Sequence, residues 1–136
     1  MGEIVPDREG FLEVGAHRIR WEYVGKGDRE AVCLLNGLAM HTRAWYGVLP
    51  RLVDACDVVL YDYLGQGLSS APDEPYSIPA FAGYLPRVLD LLGIERVHAD
   101  GVSYGGFKAA EVARLFPERL HTLTLSGILL THEELF

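Results

Sequence analysis

Ser103 lies in Gly101-Val102-Ser103-Tyr104-Gly105-Gly106, behind the apolar stretch "ERVHADGV" and ahead of "YGGFKAAEVARLF". The first reads as a buried strand and the second as a helix stopped by Pro117. A serine at such a junction can serve as a nucleophile. The sharp strand-to-helix turn strains its backbone and lifts the hydroxyl clear of the sheet. The amide of Tyr104 then points from the helix N-terminus towards any oxyanion that forms. Small residues at 101 and 105 let the neighbouring chain pass. The same local pattern fits a plainer role, in which Ser103 N-caps the helix and the glycines ease a tight turn.

Two more segments carry chemistry-bearing residues. In "CLLNGLAMHTRAW", Asn36-Gly37 ends an apolar run expected to lie beside the serine strand, and the Leu38 amide is a second candidate oxyanion donor. In "YDYLGQGLSS", Asp62 is expected to bond turn amides, and Gly65 and Gly67 permit an abrupt turn. A phosphate cradle is the rival reading of that glycine pair, but the third glycine and the helix opening are lacking. Asn36, Gly37, Met40, Tyr104 and Phe107 are candidate substrate-contacting or pocket-wall residues. No Cys/His or carboxylate spacing suggests a metal, and no cofactor is expected. Among the histidines, His17 falls in a hairpin and His121 at the opposite edge. His98 lies on the order of 16 Å down the strand from Ser103. His41 and His132 fall on the correct edge and read as loop or helix-start residues.

These loops need a scaffold. "FLEVGAHRIRWEYV" alternates around Gly15-Ala16 as a β-hairpin. "AVCLL" and "DVVLYDY" are short apolar runs of the kind buried on both faces. "HTRAWYGVLPRLVDA" has helical spacing that Pro50 should shorten or kink. "SIPAFAGYLPRVLDLLG" reads as a helix capped by Ser77 and closed by Gly93, with Pro86 to accommodate. "LHTLTLSGILL" is a final strand. The alternation predicts an α/β fold, a mostly parallel twisted sheet with helices on both faces and functional loops at the strands' carboxyl ends. All 136 residues read as a single domain.

Composition narrows the function classes. A net charge of −7 without a basic stripe argues against nucleic-acid binding. No apolar run approaches the roughly 18–20 residues of a membrane span. The charged start "MGEIVPDREG" lacks a secretory h-region. Cys33 and Cys56 read as buried reduced thiols, and a cytoplasmic location is expected.

In order and spacing, the hairpin, the strand ending in Asn36-Gly37, the "DYLGQGLSS" loop and the serine elbow resemble the α/β-hydrolase fold. The resemblance implies that Ser103 is the nucleophile, with the amides of Leu38 and Tyr104 as oxyanion hole. It implies a hydrolase or acyltransferase acting on an ester, thioester or hydroxyacyl substrate. Two departures stand out: Asn36-Gly37 where most members have His-Gly, and Asp62-Tyr63-Leu64-Gly65-Gln66-Gly67 where many have Asp-X-Arg-Gly-His-Gly. The "LNGLAM" form is similar to the branch that handles hydroxyacyl chains. In this family the acid and histidine follow later strands and a cap, so the chain is expected to be an N-terminal half, truncated after the sixth strand and inactive alone. Pairing with the missing half or with a second copy is then expected. The alternative is a non-catalytic binding or scaffold protein, or an inactive fragment, that keeps the pocket.

Overall fold

The computed structural model describes residues 3–129. Strands β1 (Arg8–Val14) and β2 (His17–Val24) form the antiparallel hairpin, and β3 (Ala31–Leu35), β4 (Asp57–Tyr61), β5 (Val97–Val102) and β6 (Leu120–Ser126) follow. They make one sheet in the order β1-β2-β4-β3-β5-β6. The pairs β3–β4, β3–β5 and β5–β6 are parallel, while β2 joins β4 antiparallel. The expected neighbour of the serine strand is thus in place, since β3 lies beside β5.

Alternation along the central strands builds the core on both faces. Cys33, Leu35, Val59 and Tyr61 point into the larger cluster, with Phe81, Leu85, Val88, Leu89, Ala109 and Val112. Leu34, Val58 and Leu60 point the other way, towards Val24 and Leu49. The larger face is covered by α2 (Ile78–Ala82), α3 (Tyr84–Leu92) and α4 (Tyr104–Leu115). The smaller face is covered by a 3-10 turn at Thr42–Trp45 and by α1 (Leu49–Leu52).

Two helices differ from the sequence expectation. Residues 41–55 do not form one helix but the 3-10 turn and the four-residue α1. Pro50 has no N–H for the carbonyl four residues back, and its ring clashes there, so no α-helix passes through 46–50. The helix expected after Ser77 is split at Gly83. That break makes Pro86 a first-turn residue of α3, where a missing N–H costs nothing. Ser77 does cap, its Oγ accepting from Ala80 N–H at 3.3 Å, and α3 closes on Gly93.

Strand β6 is the last strand of the sheet among the described residues, and most of its side chains are exposed. Among those residues no helix is long and apolar enough to cross a membrane. Cys33 is buried and Cys56 half-buried, both as free thiols, and burial pushes both thiols up.

Candidate active site

Ser103 joins β5 to α4 at φ 52° and ψ −121°. L-residues seldom adopt such a conformation, which costs on the order of 1–3 kcal/mol and persists only where the surroundings impose it. Here the backbone is held on both sides. Ser103 N–H donates to Ser126 O on β6, and Ser103 O accepts from Gly106 N–H, each at 2.8 Å. The serine side chain makes no capping hydrogen bond, so the N-cap reading of the motif fails. Its residue is exposed at the carboxyl edge of the sheet.

The flanking glycines are there for space. A Cβ on Gly105 would lie 2.2 Å from Leu35 O and 2.6 Å from Asn36 O. One on Gly101 would lie 2.5 Å from Gly105 O. Strand β5, helix α4 and the end of β3 therefore approach at backbone distance, which only hydrogen side chains permit.

The Asn36–Met40 loop packs against this elbow. A Cβ on Gly37 would sit 3.3 Å from Val102 O and 3.7 Å from Ser103 Cβ. Leu38 beyond it is 75% exposed, and its N–H has no partner among the described residues. Tyr104 N–H, at the first position of α4, likewise lies outside the intrahelical bonding pattern. Among the described residues neither of these two backbone donors has a hydrogen-bond partner. Neighbouring Ala39 has φ 58°, and with Ser103 it makes up the two non-glycine residues of positive φ among the described residues.

Asn36 and Met40 act on the loop itself. Asn36 is fully buried, and its amide nitrogen donates to Tyr61 O (3.3 Å), Asp62 Oδ1 (3.1 Å) and Gln66 Oε1 (3.2 Å). Its carbonyl accepts from Trp45 Nε1 at 2.8 Å. With both ends engaged inside the protein, Asn36 braces the loop and presents nothing to a substrate. Met40 curls back so that its Sδ accepts from Gly37 N–H at 3.1 Å.

Gln66 closes the network by donating to Gly37 O at 2.9 Å. Asp62 serves structure as expected, accepting from Thr42 N–H at 2.8 Å and Leu68 N–H at 3.3 Å. Burial raises its carboxyl above the usual range, while those donors pull it back down. Gly67 (φ 48°) folds directly over this carboxylate, a Cβ there falling 2.0 Å from Asp62 Oδ2. Gly67 thus packs on an aspartate and Gly65 on the Tyr76 ring, and the phosphate-cradle reading finds no support.

A cleft of about 330 Å3 opens beside the elbow, lined by Leu38, Ala39, Tyr63, Leu64, Gln66, Tyr76, Phe81, Tyr104 and Lys108. Tyr104 lies in this lining. Phe107, 40% exposed on the same helix, lies outside this lining. The sequence reading passed over Tyr63, Phe81 and Lys108. A signal existed for the lysine. Positions 104, 108 and 112 share one helical stripe, and a charge among buried residues of a stripe is unusual.

The histidines described are engaged elsewhere. His98 bonds Thr122 Oγ1 and Glu30 and stacks on His121, while His17 approaches Glu74. His41 lines a separate cleft with Arg43 and Tyr46. His132 falls outside the described residues. Among those residues no cluster of three or more His, Cys, Asp or Glu is placed to hold a metal.

Residues 30–136 match the family model described as alpha/beta hydrolase fold. The chain belongs to the α/β-hydrolase family. Its solved relatives include a hydrolase from Pseudomonas aeruginosa, with a TM-score of 0.85 and 26% identity, covering 93% of this chain and 49% of that one. A poly(3-hydroxyalkanoate) depolymerase of Ectopseudomonas oleovorans is 32% identical over 76% of this chain and 36% of its own length. The dihydrolipoyllysine-residue acetyltransferase component of the acetoin-cleaving system of Cupriavidus necator is 34% identical over 85% of this chain and 30% of its own. This α/β-hydrolase chain therefore spans between about a third and a half of the relatives it matches.

Proposed function

We propose that this α/β-hydrolase chain carries the nucleophile and oxyanion hole of a serine hydrolase or acyltransferase. The carrying observation is the strained, doubly held Ser103 at the strand-to-helix turn, whose side chain makes no capping hydrogen bond. Ser103 Oγ attacks the carbonyl of an ester or thioester, losing its proton to a base outside the described residues. The tetrahedral oxyanion is held by Leu38 and Tyr104 N–H and collapses with expulsion of the alcohol or thiol. Water or a second alcohol then takes the acyl group from the serine. Relatives named as a depolymerase and as an acetyltransferase component fit one acyl-serine chemistry with different acceptors. The "LNGLAM" loop and the depolymerase relative favour hydroxyacyl esters as substrates.

Labelling with a fluorophosphonate probe tests the proposal. The complete encoded chain is expected to label, and Ser103→Ala to abolish it. Labelling that survives the substitution overturns the assignment. Ligand binding without turnover, unaffected by Ser103→Ala, would favour the non-catalytic reading. That alternative draws on the absence of a histidine at Ser103 among the described residues.

The exposed edge strand β6 supports a further part of the proposal: it pairs with a strand from the remainder of a longer protein or from a second copy. Light scattering on residues 1–136 tests this, and a stable, well-dispersed monomer counts against it. The two free thiols support a reducing, cytoplasmic setting.

A further inference from the structure

Lys108 is 1% exposed. Its Nζ lies 3.1 Å from the ring centroid of Tyr63, 3.9 Å from that of Tyr104 and 4.6 Å from that of Phe81. Among the described residues no hydrogen-bond acceptor reaches it. Ring faces attract a cation, by about 2 kcal/mol when water is excluded. They leave the three N–H donors of an ammonium without acceptors, and a buried charge lacking them is costly. Tyr61 packs edge-on behind Tyr63 and Tyr76 lies against Phe81, so the groups around the cage are aromatic.

The same lysine lines the cleft together with Leu38 and Tyr104, and no carboxylate shares that lining. One cation therefore sits in an otherwise uncharged cleft, next to the proposed oxyanion hole. The acceptor it lacks can arrive with a ligand.

We infer that Lys108 anchors a carboxylate, so that the cleft takes acyl esters or thioesters bearing a free carboxylate at the far end of the acyl chain. One ammonium matches one negative charge, whereas a phosphate dianion would leave half its charge unpaired among apolar walls. The ester end of this assignment rests on the acyl-transfer role of Ser103. The carboxylate end does not.

Burial lowers the lysine to about 7, and a bound carboxylate would draw its proton back. Anion binding should therefore weaken as pH rises above 7.

The test compares monomethyl glutarate with dimethyl glutarate by calorimetry on the complete encoded chain carrying Ser103→Ala, which removes turnover. The monoanion is expected to bind at least ten-fold more tightly below pH 7. Adding Lys108→Met should erase the preference. Equal affinities, or a preference that survives Lys108→Met, overturn the inference. Should Lys108→Met fail to fold, the pH series decides. A monoanion preference that does not fall between pH 6 and 9 is equally fatal. Fluorophosphonate labelling of unsubstituted protein reports on Ser103 separately, so either reading can fail alone.

Discussion

The side-chain amide of Gln66 donates to the main-chain carbonyl of Gly37 at 2.9 Å. A trans peptide is planar, with its C=O and N–H pointing in opposite directions. Holding the Gly37 carbonyl therefore aims the Leu38 N–H the other way, away from Gln66. Asn36 strengthens the arrangement by donating to Gln66 Oε1, which orients the glutamine amide. The proposed oxyanion loop thus depends on a residue of a different loop for the direction of its Leu38 N–H.

Gln66→Leu should consequently act on catalysis more than on ground-state binding. Loss of one oxyanion donor costs roughly 10²–10³ in kcat, and misaiming one should cost about ten-fold or more. Steady-state kinetics on an ester substrate should show kcat falling with KM nearly unchanged. Gln66→Glu, which keeps the shape but loses the donor, should be equally impaired. A change confined to KM would contradict the aiming role.

Ser103 stores backbone strain at φ 52°. Glycine adopts such a conformation freely, so Ser103→Gly should be more stable than the parent by about 1 kcal/mol. Ser103→Ala removes the hydroxyl but keeps the Cβ, and should gain little. Urea unfolding of the three proteins side by side checks this ordering. Both variants should lack acyl-transfer activity.

Gly105→Ala should be severely destabilising. Its methyl would fall 2.2 Å from Leu35 O, a backbone atom of a central strand that cannot rotate away. Relief requires separating α4 from β3, and a loss of about 3 kcal/mol or more is expected. Thermal unfolding measures it. Gly47→Ala, where a Cβ meets nothing within 4 Å, is the control and should be close to neutral.

The ammonium of Lys108, lowered from 10.5 to about 7 by burial, links stability to pH. Above 7 the folded protein has released this proton while the unfolded chain keeps it up to about 10.5. The unfolded state then binds more protons, so stability attributable to this group rises with pH across that window. Lys108→Met should therefore stabilise the ligand-free protein at pH 7, on the order of 2 kcal/mol after loss of the ring contacts. The gain should shrink towards pH 10. Denaturant midpoints at both pH values test the slope, and a gain that grows with pH would contradict it.

Much of this protein can be read from residue order. Strands β3 and β4 are continuous apolar runs, because a strand covered on both faces has no polar side. The elbow is legible because its glycines frame a serine between an apolar strand and a helix. The constraint on Gly101, which meets Gly105 and Gly106, is local to the chain, whereas that on Gly105 comes from Leu35 and Asn36 at the end of β3. Pro50 announced a disrupted helix, although not that a four-residue 3-10 turn and a four-residue α-helix would stand in its place. Lys108 stood on the buried stripe of α4 in plain view, but its meaning did not. Tertiary structure decided the rest, because the partners are remote in sequence. Gln66 and Gly37 are 29 residues apart and meet only because β4 lies beside β3, bringing their carboxyl ends to one edge. Asn36, read as a substrate contact, proved to be a brace once Trp45, Tyr61, Asp62 and Gln66 closed around it. The cage around Lys108 draws its rings from the loop after β4, from α2 and from α4. Residue types and periods determine which segments are buried and where the backbone must be small. The direction of each polar group is set by sheet order, which brings together atoms that local sequence cannot pair.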